Sequence, residues 1–366
     1  MTTADPTTAD PTKLDPTTAG PAAPEPPDDG SMGGLIEDPE DQRRRRRKKV
    51  LVILLAILFG LFVIFGTWYL INRKPISELP LPGIGDDAMP HFSFAFYGVD
   101  KPMGIAVTAD GSRIYVTQTG KAREVAIFDG QGTRVGTITP PASEATGHLP
   151  AYVAIAPKTG DVWVTDRLAG AIYVYSADGI YRRTFDPGAA LVGWQPLGIG
   201  FDGDGNVYVA NLSSPFHRIE MFSADGTLLK TFGAAGQLNF PNAIAVDGTG
   251  KVVVTDSNNG RVVVFGQDGR LISTVPRGAA AGELSLPRGA AIDDSGRIYV
   301  VDAVGQGVQV YRQPGPTDRT LKYVGGFGKE GTVDGAFEFP NGIATDTRAR
   351  VYVADWNNDR VQVWGY

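Results

Sequence analysis

Cysteine is absent from the 366 residues, which removes disulfides, thiolate catalysis, iron–sulfur ligation and Cys-type zinc sites together. Histidine is scarce: the 3 residues His91, His148 and His217 leave little room for a His-rich metal centre or a triad. Positive charge is not in surplus either. Lys and Arg number 34 against 40 Asp and Glu, a net charge of -6, so no nucleic-acid partner is expected. No Gly-x-Ser-x-Gly, phosphate loop or paired-His motif occurs, and no segment has the pattern of a cofactor cradle. Most enzyme classes lose ground on these absences. Glycine and proline are plentiful, at 47 and 26 residues, and call for many tight turns. Aromatic residues at 10% and apolar residues at 42% are enough for a real core.

The N-terminal part has a different composition. Residues 1–42 hold eight prolines and ten acidic residues against one lysine, with near-repeats at Thr2–Pro6 and Thr7–Pro11. Such a segment cannot bury enough apolar surface to offset the entropy of ordering, so 1–49 is expected to be a disordered acidic tail. The tail ends in seven consecutive cations, Arg43 to Lys49. Residues 50–71 follow without a charge, rich in Leu, Ile, Val and Phe, with Trp68 and Tyr69 near the far end. At about 1.5 Å per residue this run reaches about 33 Å as a helix, enough for a bilayer core. No small-residue cleavage site follows it, as a signal peptide would need. Seven cations precede the run and two follow, Arg73 and Lys74, so the bias keeps the N-terminus cytoplasmic and sends the rest outside. A single-pass signal anchor in the cell membrane is the expectation. Residues 72–90, with Pro75, Pro80, Pro82 and Pro90, read as a stiff spacer.

From Lys101 onward the chain repeats itself. Six units open on Pro102, Pro150, Pro196, Pro241, Pro287 and Pro340, about 46 residues apart. Each unit then carries two further β-branched or aromatic runs, such as Val162-Trp-Val-Thr-Asp166 followed by Ile172-Tyr-Val-Tyr175. Asp-Gly pairs at 110–111, 129–130, 178–179, 225–226 and 268–269 mark hairpins, and a weaker fourth run is present, as in 228–233. Four antiparallel strands per unit predict an all-β, six-bladed β-propeller over 91–366. Unit six ends after its third strand. The run Phe92–Tyr97 has the pattern of the missing fourth and should pair with 361–364, leaving no open edge.

Pro-x-Gly-Ile-Ala-Val, Tyr-Val-x-Asp and Asn-x-Arg-Val-x-Val-Phe together resemble the NHL repeat, most closely at Pro340-Asn-Gly-Ile-Ala and Tyr352-Val-Ala-Asp355 to Arg360-Val-Gln-Val. With its membrane anchor, the chain resembles the extracellular sensor propellers of bacterial receptor kinases. That likeness implies a propeller fold and a binding role, and it leaves activity open, because NHL propellers include lyases, sensor ectodomains and binding platforms.

Two chemistries of such propellers can be tested on these residues. Peptide-amidating lyases hold zinc by three axial His on alternate blades, whereas His91, His148 and His217 are not equivalent positions, so no metal is expected. Six-bladed lactonases hold calcium through Glu, Asn and Asp at the mouth. Asn242 and Asn341 match the amide after a proline, but the equivalent Met103, Ala151, Leu197 and Arg288 supply no acid. The recurring Asp166, Asp256, Asp302 and Asp355 have a structural role, since a catalytic acid is needed once and a turn-stabilising one in every blade. Asp202-Gly-Asp204-Gly-Asn206 starts like a calcium loop but lacks its later ligands, so it is a hairpin.

What remains is a binding or scaffold propeller that engages a protein, peptide or glycan through the face carrying its longer loops, 140–149, 186–195 and 212–217. The expected site centres on Asn242, Arg288 and Asn341 at the channel mouth, with Tyr152, Trp194, Phe216 and Trp356 around it. Trp194 and Trp356 have a packing alternative. The functional alternative is a lactonase-like or other hydrolase or lyase using the same mouth.

Overall fold

The computed structural model describes residues 39–72, 88–142, 147–188, 191, 193–213, 215–313 and 321–366. Contacts divide the chain into two units, 1–81 and 82–366.

In the first unit, helix α1 runs over Pro39–Asn72. It starts ahead of the apolar run and takes in all seven cations, so the composition change at 49/50 is not a helix boundary. Arg and Lys are good helix formers and extend the helix. No helix among the described residues is long and apolar enough to cross a membrane. The spanning segment expected over 50–71 is therefore not met there. The side chains described continuously in α1 run only from 46 to 63, and four of them are cations. The expected tail up to 38 and the spacer over 73–87 lie outside the described residues.

Among its described residues the second unit holds 24 strands in six four-stranded antiparallel sheets. Strand β1 is His91–Tyr97. Blade one is β2 (Pro102–Val107), β3 (Arg113–Gln118), β4 (Val125–Asp129) and β5 (Arg134–Ile138). Blade two is β6 (Pro150–Ile155), β7 (Val162–Asp166), β8 (Ala171–Tyr175) and β9 (Tyr181–Thr184). Blade three is β10 (Pro196–Phe201), β11 (Val207–Asn211), β12 (Arg218–Phe222) and β13 (Leu228–Phe232). Blade four is β14 (Pro241–Val246), β15 (Val252–Asp256), β16 (Arg261–Phe265) and β17 (Leu271–Val275). Blade five is β18 (Pro287–Ile292), β19 (Arg297–Asp302), β20 (Gly307–Arg312) and β21 (Lys322–Phe327). Blade six is β22 (Pro340–Thr345), β23 (Val351–Asp355) and β24 (Arg360–Gly365), completed by β1.

Phe92 pairs with Trp364 and Phe96 with Val361, which closes the ring where the sequence pattern predicts it. Each first strand packs on the first strand of the next blade, and β22 packs on β2. The six-bladed all-β propeller is thus confirmed. Burial falls outward from the second strands. Strands β7, β11, β15 and β23 are buried along their whole length, whereas Tyr181, Arg182 and Arg183 of the outer β9 are exposed. Each fully buried Val, Ile or aromatic side chain in those strands contributes about 1.5–3 kcal/mol.

Two devices join neighbouring blades near the axis. The first is glycine at the third position of Pro-x-Gly: a Cβ on Gly198 would sit 2.3 Å from the Asn242 carbonyl oxygen, and one on Gly289 would sit 2.4 Å from that of Asn341. The second is the threonine of Val-Thr. Thr117, Thr165 and Thr255 each donate 2.7 Å bonds to the next blade, to the carbonyls of Ala151, Leu197 and Arg288.

Candidate functional site

Every first strand slips register just after its proline. In blade four, Pro241 pairs with Asp256 and Ile244 with Val254, so Asn242 and Ala243 together oppose Thr255. The same slip follows Pro102, Pro150, Pro196, Pro287 and Pro340. Such a bulge re-aims the side chains it carries. Six of them ring the axis at one end of the channel, and they carry Met103, Ala151, Leu197, Asn242, Arg288 and Asn341. The ring is divided in character: blades one to three present apolar side chains, blades four to six two amides and a cation.

Tyr152 is one step farther along its strand, level with Gly104, Gly198, Ala243, Gly289 and Gly342. Small neighbours at that level leave axial space for its ring. Its hydroxyl donates to Asn242 Oδ1, bridging blades two and four. Burial pushes the Tyr152 hydroxyl well above the ordinary phenol range, and the Arg288 cation pulls it back, so the cation is within electrostatic reach of the ring. Below this pair, a cavity of about 300 Å³ follows the axis. Ile105, Val153, Ile199, Ile244, Ala290 and Ile343 are among its lining residues.

Polar atoms of the mouth are left over. Asn242 is fully buried and its Nδ2 has no partner; Asn341 is 6% exposed and its Oδ1 has none. Arg288 Nε is also buried and unpaired. A buried group without a partner costs about 1–3 kcal/mol.

The residues predicted around the mouth do not all join it. Trp194 is packed in the core, its ring 6.1 Å from those of both Phe185 and Phe222. Trp356 is half-buried, donates to Thr119 Oγ1 at 3.1 Å and has Lys101 over its ring at 5.2 Å. Phe216 is exposed on the loop before β12. The structure joins Tyr152 to Asn242 by a hydrogen bond, and sets Arg288 and Asn341 on the first strands of the next two blades, β18 and β22.

The recurring acids have the structural role expected of them. The side chain that ends each second strand accepts the backbone N–H of the loop entering its own blade. The pairs are Gln118 with Asp100, Asp166 with Leu149, Asn211 with Gln195, Asp256 with Asn239, Asp302 with Leu286 and Asp355 with Glu338, at 2.7–3.1 Å. Arg261 and Arg360 pair with Asp256 and Asp355 at 2.7 and 2.8 Å, and also bond loop carbonyls. Asp202 and Asn206 bond each other inside the β10–β11 hairpin, at 2.8 Å between side chains.

Sequence reasoning did not find the Tyr152–Asn242 bond. It also missed His148, whose Nδ1 is 2.8 Å from Asp166 Oδ2 and whose Nε2 is buried without a partner. Its position 18 residues ahead of Asp166, next to the Leu149 N–H that Asp166 also accepts, is the local signal that was available. Among the described residues, no group of three or more His, Asp or Glu could hold a metal ion.

Comparison with known proteins agrees with this architecture. The NHL repeat family matches residues 238–265 and 337–364, the latter covering most of the unit whose residues follow the motif most fully. No curated protein matches the chain. Among solved structures, a streptogramin B lyase is similar over 77% of this chain and 99% of its own, at 18% identity and a TM-score of 0.52. A catalytically inactive virginiamycin B lyase from Staphylococcus aureus, with quinupristin, is similar over 74% and 87%, at 17% identity and 0.51. A protein of unknown function from Bacteroides thetaiotaomicron is similar over 76% and 72%, at 17% identity and 0.55. At these identities the likeness is one of fold.

Proposed function

We propose that the propeller binds a protein, peptide or glycan at its axial mouth, and that α1 tethers it to the cell membrane with the propeller outside. One observation carries the binding reading: the mouth keeps unpaired, buried polar atoms on Asn242, Arg288 and Asn341, whereas the recurrent acids are spent on turns. Unsatisfied groups converging on one axis, where several blades meet, are suited to a ligand that completes them. The tethering reading draws on the uncharged run 50–71 and on its exposed side chains. Large apolar residues from Val50 to Val63 are 46% to 74% exposed and, being nearly consecutive, they cover all sides of the helix.

Replacing Arg288 by Glu tests the binding reading. Capture of a partner from native membranes should be lost while melting is nearly unchanged, because a partly exposed cation without an ion pair contributes little to folding. Unchanged capture would move the interaction surface elsewhere, and an unfolded variant would make Arg288 structural. Protease added to intact cells tests the tethering: the propeller should be removed and the N-terminal tail spared. Protection of the propeller would refute it.

A second reading, hydrolase or lyase, has one observation in its favour. His148 is oriented by a carboxylate at Nδ1 and keeps Nε2 free, as a general base would. The binding reading is preferred because Asp166, which orients His148, occupies the turn-anchoring position found in all six blades. Turnover of an ester or lactone substrate that is lost in His148→Gln while the variant still folds would favour the enzyme.

A further inference from the structure

We propose that the mouth recognises a peptide C-terminus, with the terminal carboxylate held by Arg288 and the Asn242 amide. This rests on the mouth-binding reading and assigns the ligand chemistry. The unpaired atoms form a complementary set. Arg288 supplies a fixed cation with N–H donors, and Asn242 Nδ2, its own carbonyl occupied by Tyr152, has only donor capacity left. Two donor groups on adjacent blades, one of them charged, suit the two oxygens of a carboxylate. Asn341 Oδ1, on the next blade round, lacks a donor. A terminal residue carries one beside its carboxylate, the N–H of its own amide bond.

The other half of the ring decides between ligand classes. Met103, Ala151 and Leu197 offer no polar side chain opposite the three polar residues. An apolar side chain on the terminal residue would lie there, whereas a sugar acid would bring hydroxyls that nothing on that side could pair. Tyr152 forms the floor: its bond holds Asn242 with the amide nitrogen unpaired, and its ring is part of the lining of the cavity below. A free small N-acyl amino acid has the same terminal chemistry as a peptide, so chain length must be one arm of the test.

Met103 is a probe at the mouth, and Met221 on β12 is an internal control. The full chain, labelled at methionine methyls, is titrated with acetylated Gly-Ala-Leu bearing a free C-terminus. The same peptide amidated, acetyl-leucine and glucuronic acid are titrated in parallel. The free acid should shift the Met103 signal and bind at least about tenfold more tightly than the amide. Arg288→Met should abolish that preference, and Arg288→Lys, which keeps the charge without the fork, should retain part of it. If Arg288→Met does not fold, the Lys variant and the acid–amide comparison still decide. Acetyl-leucine binding as well as the peptide would place recognition in the terminal residue alone; weaker binding would make the preceding residues part of the ligand. Both results support a terminal carboxylate site. Equal binding of acid and amide, with Met103 shifted, overturns the carboxylate assignment and leaves the mouth reading standing. A response to glucuronic acid alone overturns the peptide. No Met103 response to any probe also overturns this proposal, while the Arg288→Glu capture result judges the mouth reading separately.

Discussion

Tyr152 and Asn242 lie 90 residues apart in sequence and two blades apart in the ring, and a buried hydrogen bond joins them across the axis. The bond sets a polar rim at the end of a channel lined mainly by Ile, Val and Ala residues. It also fixes which atoms of Asn242 remain available.

Tyr152→Phe keeps the ring and removes the donor, which leaves Asn242 Oδ1 buried and unpaired. We expect a loss of about 1–3 kcal/mol in stability by denaturant unfolding. Tyr152→Phe combined with Asn242→Ala should recover part of that loss, since both partners are then gone. A double variant as unstable as the sum of the two single variants would show that the bond is not the coupling.

Glycine at the third position of the first strand is a packing requirement. Gly198→Ala should cost about 1–3 kcal/mol or more, because its Cβ would meet the Asn242 backbone at 2.3 Å. Gly203→Ala, in the β10–β11 hairpin, has nothing within 4 Å of the new carbon and serves as the comparison. Thermal melting of the two variants separates steric demand from a general cost of replacing glycine. Equal losses would contradict the close approach of the blades.

Glu220 on β12 is buried, and burial pushes its carboxyl up, opposed by the Asn211 hydrogen bond and the Arg218 charge. The folded protein therefore holds this proton to higher pH than the unfolded chain does, and stability falls as pH rises above the ordinary glutamate range. Gln309 and Gln362 stand at the equivalent position of β20 and β24, opposite the middle valine of their second strands. Glu220→Gln should remove this contribution to the pH dependence and unfold at higher denaturant than the parent at pH 8. The same slope in both proteins would show that Glu220 does not titrate abnormally.

Closure by β1 makes the first strand of the propeller as important as the last. Phe96 is 5% exposed, with its ring 4.8 Å from Phe128 of the first blade. Phe96→Ala should cost about 3–5 kcal/mol. Deleting 91–97 should expose the edge of β24 and cause aggregation, readable by size-exclusion chromatography. A soluble deletion variant with unchanged melting would mean that the ring closes otherwise.

Much of the propeller is legible in the sequence because each blade repeats one local pattern: apolar alternation, Asp-Gly turns and a proline at each inner strand. Closure is legible for the same reason, as Phe92–Tyr97 carries a strand pattern and blade six lacks a strand. The mouth is legible only in outline. Asn242, Arg288 and Asn341 follow their prolines visibly, but the bulge that aims them comes from tertiary register. Tyr152 is expected around that ring, and the structure sets it one residue deeper than the ring position Ala151, at the level where four other blades carry glycine. Trp194 shows the converse: nothing local tells a loop tryptophan at the rim from one packed on Phe185 and Phe222. The helix boundary at Pro39 is hidden because a run of Arg and Lys favours helix and tail composition alike.

The most direct measurement is site-specific photo-crosslinking in the cells that make the protein. A benzophenone side chain placed at Met103, in the mouth, should yield a defined adduct. The same group at Asp204, in the hairpin of the opposite face, should yield none. Adducts from Asp204 and not from Met103 would contradict binding at the axial mouth.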